Sequence, residues 1–287
     1  MTKQERRKTI ILFAVIAAVF LVGSILTGGS GEEEETVQEV MRDAVLHDLN
    51  KVSLFGMEVN PGLMAGVIVS GILIIFALIC RIFVIPKFKP VPGKFQLVLE
   101  TIVGLFDGMA KGNSKINGFL GAYIFAAGAY IFTGTLFELL GIQAVTTTGM
   151  SISLPAPHSD INCAIMMGCL SYLVIMSGGI VGNGVKGIGQ TLKDFSLPIS
   201  LSFRLFGALL SGALVTELVY YYNALSYVFP VIVGVLFTLL HALIQAYVLT
   251  MLTSLFYGEV SEKSPPKEKK KKSPRKRKNK EPAAEAA

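Results

Sequence analysis

The feature that most constrains the fold of this chain is a series of long apolar stretches. A transmembrane helix needs about 20 consecutive, mostly apolar residues to cross the hydrocarbon core of a bilayer. Charged residues make up only 16% of the sequence, against about 25% in soluble domains. These figures argue against a soluble enzyme and against a disordered chain, and they predict an all-α polytopic membrane protein. The predicted membrane segments are residues 10–26, 63–84, 116–140, 161–180, 195–222 and 228–257.

Three other segments have different patterns. In residues 95–109, apolar side chains repeat at helical spacing and leave Glu100 and Asp107 among smaller residues. This pattern predicts an amphipathic helix at the inner membrane interface. Residues 37–54 show a weaker helical periodicity, and residues 143–159 are predicted to form a polar outer loop.

Basic residues fall on one side of the predicted membrane segments. Lys87, Lys111, Lys186 and Lys193 lie beyond the inner ends of segments, and a basic tail follows the last segment. Cytoplasmic loops carry an excess of Lys and Arg. The N terminus and the C-terminal tail are therefore both predicted to be cytoplasmic.

The two ends of the chain differ from the membrane core in composition. Residues 10–26 follow a basic start without an obvious small-residue cleavage site, so a retained anchor and a cleaved secretory signal both stay open. From Lys263 onward the tail carries eleven basic and three acidic residues in one run, whereas nucleic-acid binding would require them on a folded face. The predicted regions are an N-terminal anchor or signal segment (1–30), an acidic extracytoplasmic segment (31–60), a membrane core (61–258) and a disordered Lys-rich cytoplasmic tail (259–287).

The last two apolar segments are longer than a bilayer requires. Residues 195–222 and 228–257 would form helices of roughly 42 and 45 Å, whereas the hydrocarbon core is about 30 Å thick. They are predicted to form a long C-terminal hairpin whose helices tilt, kink or lie partly in the interface.

A single arginine, Arg204, lies inside the first helix of this hairpin. An arginine at the centre of a bilayer costs about 2.5 to 3.5 kcal/mol on insertion scales, and it cannot escape this cost by losing its proton. It therefore needs an anion, a polar partner or a water-filled cleft. The alternative is that the side chain reaches the cytoplasmic interface, because Pro198 suits the first turn of a helix that begins shortly before Arg204.

Four small residues share the helical face of Arg204, at spacings that place side chains on one side of a helix. Small residues let another helix approach closely within lipid. A partner helix bearing a carboxylate could therefore pass along this face and meet the guanidinium, while ordinary packing inside the chain is the alternative. The residues of this close-packing face are Gly207, Ala208, Ser211 and Gly212.

The second helix of the hairpin supplies polar side chains that would face Arg204. Gln245 carries an amide oxygen that can accept a hydrogen bond from the guanidinium. His241 lies one turn outward of Gln245, and Thr238 lies a further turn outward. Glu217 lies about 20 Å beyond Arg204 along its helix, a depth that suits the mouth of an outer aqueous vestibule. The plainer interpretations are a satisfied core histidine for His241 and an interfacial carboxylate for Glu217.

Five short motifs follow one another along residues 60–258. One such motif would be weak evidence for a family, whereas five in a consistent order are specific. They are Val91-Pro92-Gly93-Lys94-Phe95-Gln96, Pro157-His158-Ser159-Asp160-Ile161-Asn162, Lys186-Gly187-Ile188-Gly189, Arg204-Leu205-Phe206-Gly207, and Gln245-Ala246 with Thr250-Met251-Leu252-Thr253.

Together these motifs resemble subunit a of the F-type ATP synthase. The resemblance implies a membrane stator beside a rotating ring of c subunits, with two offset half-channels that open to opposite faces. It also implies an essential arginine that separates the half-channels and lowers the pKa of the ring carboxylate, by roughly one to three units for an opposite charge at close range. Arg204 takes the position of this arginine, and Gln245 that of its polar partner. The residues that resemble positions lining polar access are Glu138, Asp160 and Asn162.

The chain also departs from the family pattern. The family commonly has Asn four residues after the arginine and Glu nine residues after it, where this chain has Ala208 and Ala213. The family's His or Glu seven residues before the glutamine is Thr238 here. We expect Glu217 and His241, each displaced by about one turn, to take over these half-channel roles.

The resemblance implies partners, and the rest of the sequence leaves two other functions open. The implied partners are the c-subunit ring, the b-subunit peripheral stalk, the remaining ATP synthase subunits and lipid, in a bacterial plasma membrane. No nucleic acid, cofactor or ATP site is predicted. No metal site is predicted either, since the three cysteines lie in apolar stretches without metal-ligand spacing. The alternatives are a stand-alone secondary ion transporter and a membrane anchor whose basic tail binds anionic lipid. The choice between H⁺ and Na⁺ as the coupling ion stays open.

Overall fold

The computed structural model describes residues 7, 14–15, 18, 22, 51–54, 57–114, 119–147, 149, 151–221 and 229–262, with only the backbone described at residues 217, 220–221 and 229–230. The predicted segment 10–26 (apart from isolated positions), most of the acidic segment and most of the Lys-rich tail lie outside these residues. The first residues of the predicted disordered tail, 259–261, are instead helical. Five helices in the described part are long and apolar enough to cross a membrane. This finding confirms the predicted all-α polytopic class.

Seven α-helices and two short antiparallel β-hairpins form the described part of the chain. The helices are α1 (Pro61–Ile79), α2 (Lys94–Asn113), α3 (Leu120–Phe137), α4 (Ile161–Asn183), α5 (Val185–Thr191), α6 (Ser196–Tyr221) and α7 (Phe229–Ser261). The strands are β1 (Val52–Leu54), β2 (Met57–Val59), β3 (Gln143–Val145) and β4 (Ser151–Ser153).

The first described span begins with a clear helix start and continues beyond α1. Asn60 caps it, because its side-chain oxygen accepts a hydrogen bond of 3.0 Å from Gly62 N, and Pro61 fills the first helical position. After α1 the chain continues through a π-helical turn, Cys80–Val84, and a 3₁₀ turn, Ile85–Lys87. The predicted apolar segment 63–84 is therefore helical throughout, with a wider turn at its inner end.

The predicted amphipathic helix is α2, and the turn before it is tied down by one side chain. Gln96 Nε2 donates to Lys89 O at 3.0 Å, and Gln96 Oε1 accepts from Lys89 N at 3.1 Å. A single side-chain amide thus satisfies both backbone groups of Lys89, which has no regular partner in the turn. This arrangement fixes the direction in which α2 leaves α1.

Helices α3 and α4 form the centre of the described fold. Helix α7 packs against both of them, and α6 packs against α4 and α7. Glycines allow the closest approaches: the ring of Tyr257 lies over Gly178, and a Cβ at Gly128 would meet Phe106 and Thr250. The core therefore draws side chains from α2, α3, α4, α6 and α7, among them Leu120, Ile124, Ala164, Leu205, Ala246, Leu249 and Tyr257.

The return from α4 to α6 is held by direct backbone contact. Gly184 ends α4 with φ of 61°, a conformation that glycine adopts readily. Gly187 in α5 lies against the backbone of Gly179, leaving no space for a Cβ. The Tyr172 hydroxyl donates to Thr191 O at 3.0 Å, which fixes the end of α5 against α4.

The outer segments differ from the predictions made for them. Residues 52–54 form strand β1, paired with β2, so the helical periodicity predicted for residues 37–54 is wrong at its end; the remainder, up to residue 50, lies outside the described residues. The outer loop 143–159 contains the hairpin β3–β4 and a 3₁₀ turn, Pro157–Ser159. A bridge between Val52 and Thr146 joins the two hairpins. Short strands form here because these segments lie outside the apolar spans.

The C-terminal hairpin is close to the predicted one. The predicted segments 195–222 and 228–257 correspond to α6 and α7, and α7 continues one turn further than its apolar stretch, to Ser261. Helix α7 has 33 residues, about 50 Å at 1.5 Å per residue. It therefore exceeds the roughly 30 Å of a hydrocarbon core. The turn that connects the two helices lies outside the described residues.

Candidate functional site

Arg204 lies on the open side of α6. Its side chain is exposed, whereas Leu201, Leu205 and Leu209 are buried and hold α6 against the rest of the chain. Among the described side chains, Arg204 has neither a hydrogen-bond partner nor an ion-pair partner. A guanidinium within a span is costly unless an anion, a polar group or water compensates it, and none of the described side chains does so.

The predicted close-packing face divides between two surroundings. Gly207 and Ser211 are exposed and line a shallow groove of about 300 Å³ along α6. Apart from the neighbouring backbone of α6, no described atom lies within 4 Å of the position that a Cβ at Gly207 would take. Gly212 instead faces α7, where a Cβ would lie 3.8 Å from His241 Nδ1, and Ala208 is half-buried. Of the four small residues, only Gly207 and Ser211 therefore line the groove.

The leucines Leu210, Leu214 and Leu218, with Val215, complete the lining of this groove. Its walls are therefore apolar, and Ser211 is the polar side chain among them. An apolar wall strengthens electrostatic interactions near it, because the local dielectric constant is low. A carboxylate that enters the groove next to Arg204 would be attracted more strongly than it would be in water.

Gln245 is buried in α7, which packs against α6, but it is not bonded to Arg204. Its neighbour Ala246 and the neighbour of Arg204, Leu205, belong to the same core cluster. Gln245 is only 6% exposed, and its Oε1 atom has no hydrogen-bond partner in the described part of the chain. The predicted hydrogen bond from the guanidinium is therefore not formed, because the Arg204 side chain points to the open face. Gln245 Oε1 is thus a buried hydrogen-bond acceptor without a described partner.

His241 is oriented by its own helix. Its Nδ1 atom lies 2.8 Å from Phe237 O, and since a carbonyl only accepts, this nitrogen carries the proton. Its ring stacks on Phe237 with centroids 5.6 Å apart. The opposite nitrogen, Nε2, is thus the atom that can take up a proton. Thr238 lies one turn outward and is half-buried.

The predicted acidic residues of the outer side lie on separate elements. Glu138 follows α3 in a 3₁₀ turn, Glu138–Leu140, that packs against α7, and its side chain is half-buried. Glu217 lies in α6, but its side chain is outside the described part of the structure. The described residues therefore place Glu138 beside the hairpin and leave the position of the Glu217 carboxylate open.

Asp160 and Asn162 are brought together at the start of α4. Asp160 is buried and caps the helix, because its Oδ1 accepts from Asn162 N at 2.9 Å and from Asn162 Nδ2 at 3.2 Å. Asn162 itself is exposed. A carboxylate at a helix N-terminus is stabilised by the unpaired backbone N–H groups there. Asp160 therefore has a structural function besides the predicted lining of polar access.

The motif Pro157–Asn162 contains a buried histidine, His158, that is not among the predicted site residues. It lies in the turn Pro157–Ser159, is only 1% exposed, and packs edge-on against the ring of Tyr130. Neither ring nitrogen has a hydrogen-bond partner within the described residues. Burial lowers the pKa of His158 from 6.5 to about 4, because the charged imidazolium would lose its hydration. Its position between a proline and a helix-capping aspartate was the available signal in the sequence.

Polar contacts at the inner end of α7 were also missed. Asn113 Nδ2 donates to Ser254 Oγ at 3.1 Å, and Ser254 Oγ donates to Met109 O at 3.1 Å. Ser114 and Ser261 share a hydrogen bond of 3.2 Å. Serine spacing within an apolar stretch does not show which neighbouring helix the hydroxyl groups meet. These contacts join α2 to α7.

The fold and the site together define a class of protein. The described chain is a polytopic helical membrane protein with one arginine on the open face of a long hairpin. A family model described as ATP synthase A chain matches residues 63–258, more than half of the chain. The chain belongs to this family, which confirms the resemblance drawn from the five motifs. It is a membrane-sector subunit of the ATP synthase and is involved in proton translocation.

Proposed function

We propose that this chain is the stator subunit of the membrane sector of an F-type ATP synthase. It would provide two half-channels for H⁺ or Na⁺, whose passage turns a ring of c subunits and drives ATP synthesis. The observation that carries this proposal is Arg204, which is exposed beside the open groove of α6 and has no partner among the described side chains. A membrane potential supplies about 2.3 kcal/mol per elementary charge per 100 mV.

The groove explains how a ring carboxylate would reach Arg204. Gly207 and Ser211 leave room on the outside of α6, so a partner helix can pass closely. A carboxylate that approaches the guanidinium is stabilised in its charged form, which lowers its pKa. The ring would therefore give up its proton before passing Arg204 and take up another one afterwards. A protonated carboxylate, which has no charge to offer, would not be attracted.

The outer half-channel would use the polar residues that follow the outer ends of the spans. We assign Glu138, Asp160 and Asn162 to its lining, as the resemblance implies. His241 supports this assignment because its Nε2 atom is the one free to accept a proton. Thr238 and Glu217 complete the candidate lining.

Partners and location follow from the same proposal. The open face of α6 would meet the c ring, and the b-subunit stalk, the remaining subunits and lipid would cover other surfaces. We place the complex in a bacterial plasma membrane with the tail 259–287 in the cytoplasm, after a membrane core of residues 61–258. Residues 1–30 would be an anchor or signal, and 31–60 an extracytoplasmic segment. Family membership favours this function over a stand-alone transporter or a basic-tail anchor.

The test replaces Arg204 in the complete complex reconstituted into vesicles. We expect Arg204→Ala to abolish ATP synthesis driven by an ion gradient, while the complex still assembles, because the side chain makes no contact that the described fold needs. Arg81→Ala is the matched control, since this arginine is also exposed and lies in the inner turn after α1. Coupled synthesis at the normal rate in Arg204→Ala would overturn the proposal.

A further inference from the structure

The turn Pro157–Ser159 lies where four helices meet at the outer side of the described fold. It packs against α1, α3, α4 and α6. Two glycines of α1 make room: a Cβ at Gly66 would lie 3.1 Å from the Tyr130 hydroxyl oxygen, and a Cβ at Gly62 would lie 2.9 Å from Asp160 Cβ. His158 is thus enclosed by helices of both the central pair and the C-terminal hairpin.

The imidazole of His158 is buried, and neither of its nitrogens has a hydrogen bond to a described residue. Its ring centroid lies 5.1 Å from that of Tyr130, with the planes at 75°. This edge-on contact packs the ring but satisfies neither nitrogen. A buried polar atom without a partner costs about 1 to 3 kcal/mol, and an apolar side chain would fill the same space without this cost. Two such atoms on one side chain call for ligands that the described residues do not supply.

Few other ionisable groups surround His158. Helix α1 contributes none, and α3 contributes Tyr130, whose ring packs against the imidazole. Helix α4 contributes Cys163 and the capping Asp160, whose Oδ1 is occupied by Asn162. From α6, the charged side chain that the structure describes is Arg204, which forms no ion pair with a described residue. No described opposite charge is therefore paired with the imidazole.

We propose that His158 is a proton-transfer residue of the outer access path, and that its two ring nitrogens bind water molecules on opposite sides of the turn. The proposal rests on the proposed function, since it needs an outer half-channel. In the transfer step, the unprotonated nitrogen takes a proton from one water while the opposite N–H releases its proton to the other water. The ring ends in its other tautomer with no net charge, and it returns by turning over or by the reverse exchange.

The protonation state of His158 agrees with this step. Because burial lowers the pKa to about 4, the ring is neutral at ordinary outer pH. A neutral imidazole presents one donor and one acceptor at the same time. Buried waters commonly bind polar groups that lack other partners. A neutral ring between two waters can therefore pass protons without a charged intermediate that the site would disfavour.

The experiment measures proton-driven ATP synthesis by the reconstituted complex at outer pH values from 5 to 8. We expect His158→Ala to lower the rate on the order of tenfold, since a positioned proton-transfer group commonly contributes this much or more. Imidazole added on the outer side should restore the rate, and pyrrole should not, because pyrrole has a similar ring without a basic nitrogen. Ser159→Ala is the matched control: its hydroxyl bonds within the turn, to Ala156 O at 2.7 Å, and its loss should leave the rate unchanged.

A normal rate in His158→Ala, or equal rescue by pyrrole, would overturn the proposal, the latter by showing a packing role. If His158→Ala fails to assemble, His158→Gln decides the matter. Glutamine keeps a donor and an acceptor but cannot exchange tautomers, so a reduced rate supports proton transfer and a normal rate rejects it. Arg204→Ala, measured in parallel, separates the two proposals. If it retains coupled synthesis, the proposed function fails; if it is inactive while both His158 variants are normal, only the proton-transfer role fails.

Discussion

The central pair, α3 and α4, and the C-terminal hairpin, α6 and α7, have similar mean hydropathy but very different burial. In each central helix 50% of the apolar stretch that could span a membrane is buried within the chain, against 22% in α6 and 17% in α7. Composition therefore does not distinguish a helix that packs inside this subunit from one that offers its surface to other molecules. The hairpin with the low burial is also the region that carries Arg204, Gln245 and His241.

The difference teaches where a substitution should affect the fold and where it should affect ion transport. Glycines of the central pair touch backbone and rings, as Gly179 touches Gly187 and Gly178 touches Tyr257. At Gly207 of the hairpin, an added Cβ would meet no described atom within 4 Å outside its own helix. We expect added volume to damage folding in the first region and coupling in the second.

The largest effect is expected for Gly187→Ala. The new methyl group would meet the carbonyl of Gly179, and overpacking against backbone costs at least the 1 to 3 kcal/mol typical of crowded cores. Loss of folded subunit from the membrane, measured by quantitative blotting, is the expected result. Gly189→Ala is the control. Gly189 lies in the same helix, and an added Cβ there would meet no described atom within 4 Å outside the helix's own backbone. Equal amounts of the two variants would contradict the packing described for α4 and α5.

A smaller effect is expected on lowering the pH, at the turn that joins the two regions. The pKa of His158 lies near 4 in the folded chain and near 6.5 in the unfolded one, so below pH 6.5 the unfolded chain binds the extra proton. Stability conferred by the neutral ring is therefore complete above pH 6.5 and falls as the pH drops towards 4. At pH 5 we expect a loss of about 2 kcal/mol, at 1.36 kcal/mol per pH unit.

This loss is measured by thermal unfolding of the purified subunit at pH 7 and pH 5. The variant His158→Gln lacks the titrating group at position 158, so its unfolding temperature should fall less than that of the natural sequence. Ser159→Ala should behave like the natural sequence. Identical decreases in unfolding temperature in all three proteins would show that acid destabilises the subunit through groups other than His158.

The smallest effect is expected for Gly207→Leu, and it falls on rate rather than on folding. An added Cβ at Gly207 would meet no described atom within 4 Å outside its own helix, so a leucine side chain there would extend into the groove beside Arg204. We expect normal assembly and a reduction of ATP synthesis on the order of tenfold, or about 1.4 kcal/mol in activation free energy. Gly71→Leu, at another open position on α1, should leave synthesis near normal. If the two variants had equal rates, the groove would not be the surface that the ring uses.

The spans could be predicted from the sequence, whereas their packing could not. Apolar length places α1, α4 and α6 within a few residues, since a bilayer demands a minimum length. The same helices are apolar on every side, so periodicity does not show which face is buried. The strand at residues 52–54 depends on pairing with its neighbour, which a weak helical pattern conceals.

The same contrast holds for the site: its charged residue could be predicted from the sequence, whereas its contacts could not. Arg204 was found because a charge in an apolar stretch is costly, and this signal is independent of packing. The predicted bond to Gln245 failed because the direction of the arginine side chain depends on the face that α6 leaves open. His158 was missed because burial of an outer turn depends on four helices distant in sequence.

The hydrogen bonds between α2 and the inner end of α7 have a mechanical consequence. Asn113 and Ser114 connect the amphipathic helix to Ser254 and Ser261, so α2 and the C-terminal end of α7 should shift together as one rigid unit. A fluorescent or spin label on the exposed side of α2 would then report sideways force on the hairpin, without touching the hairpin itself.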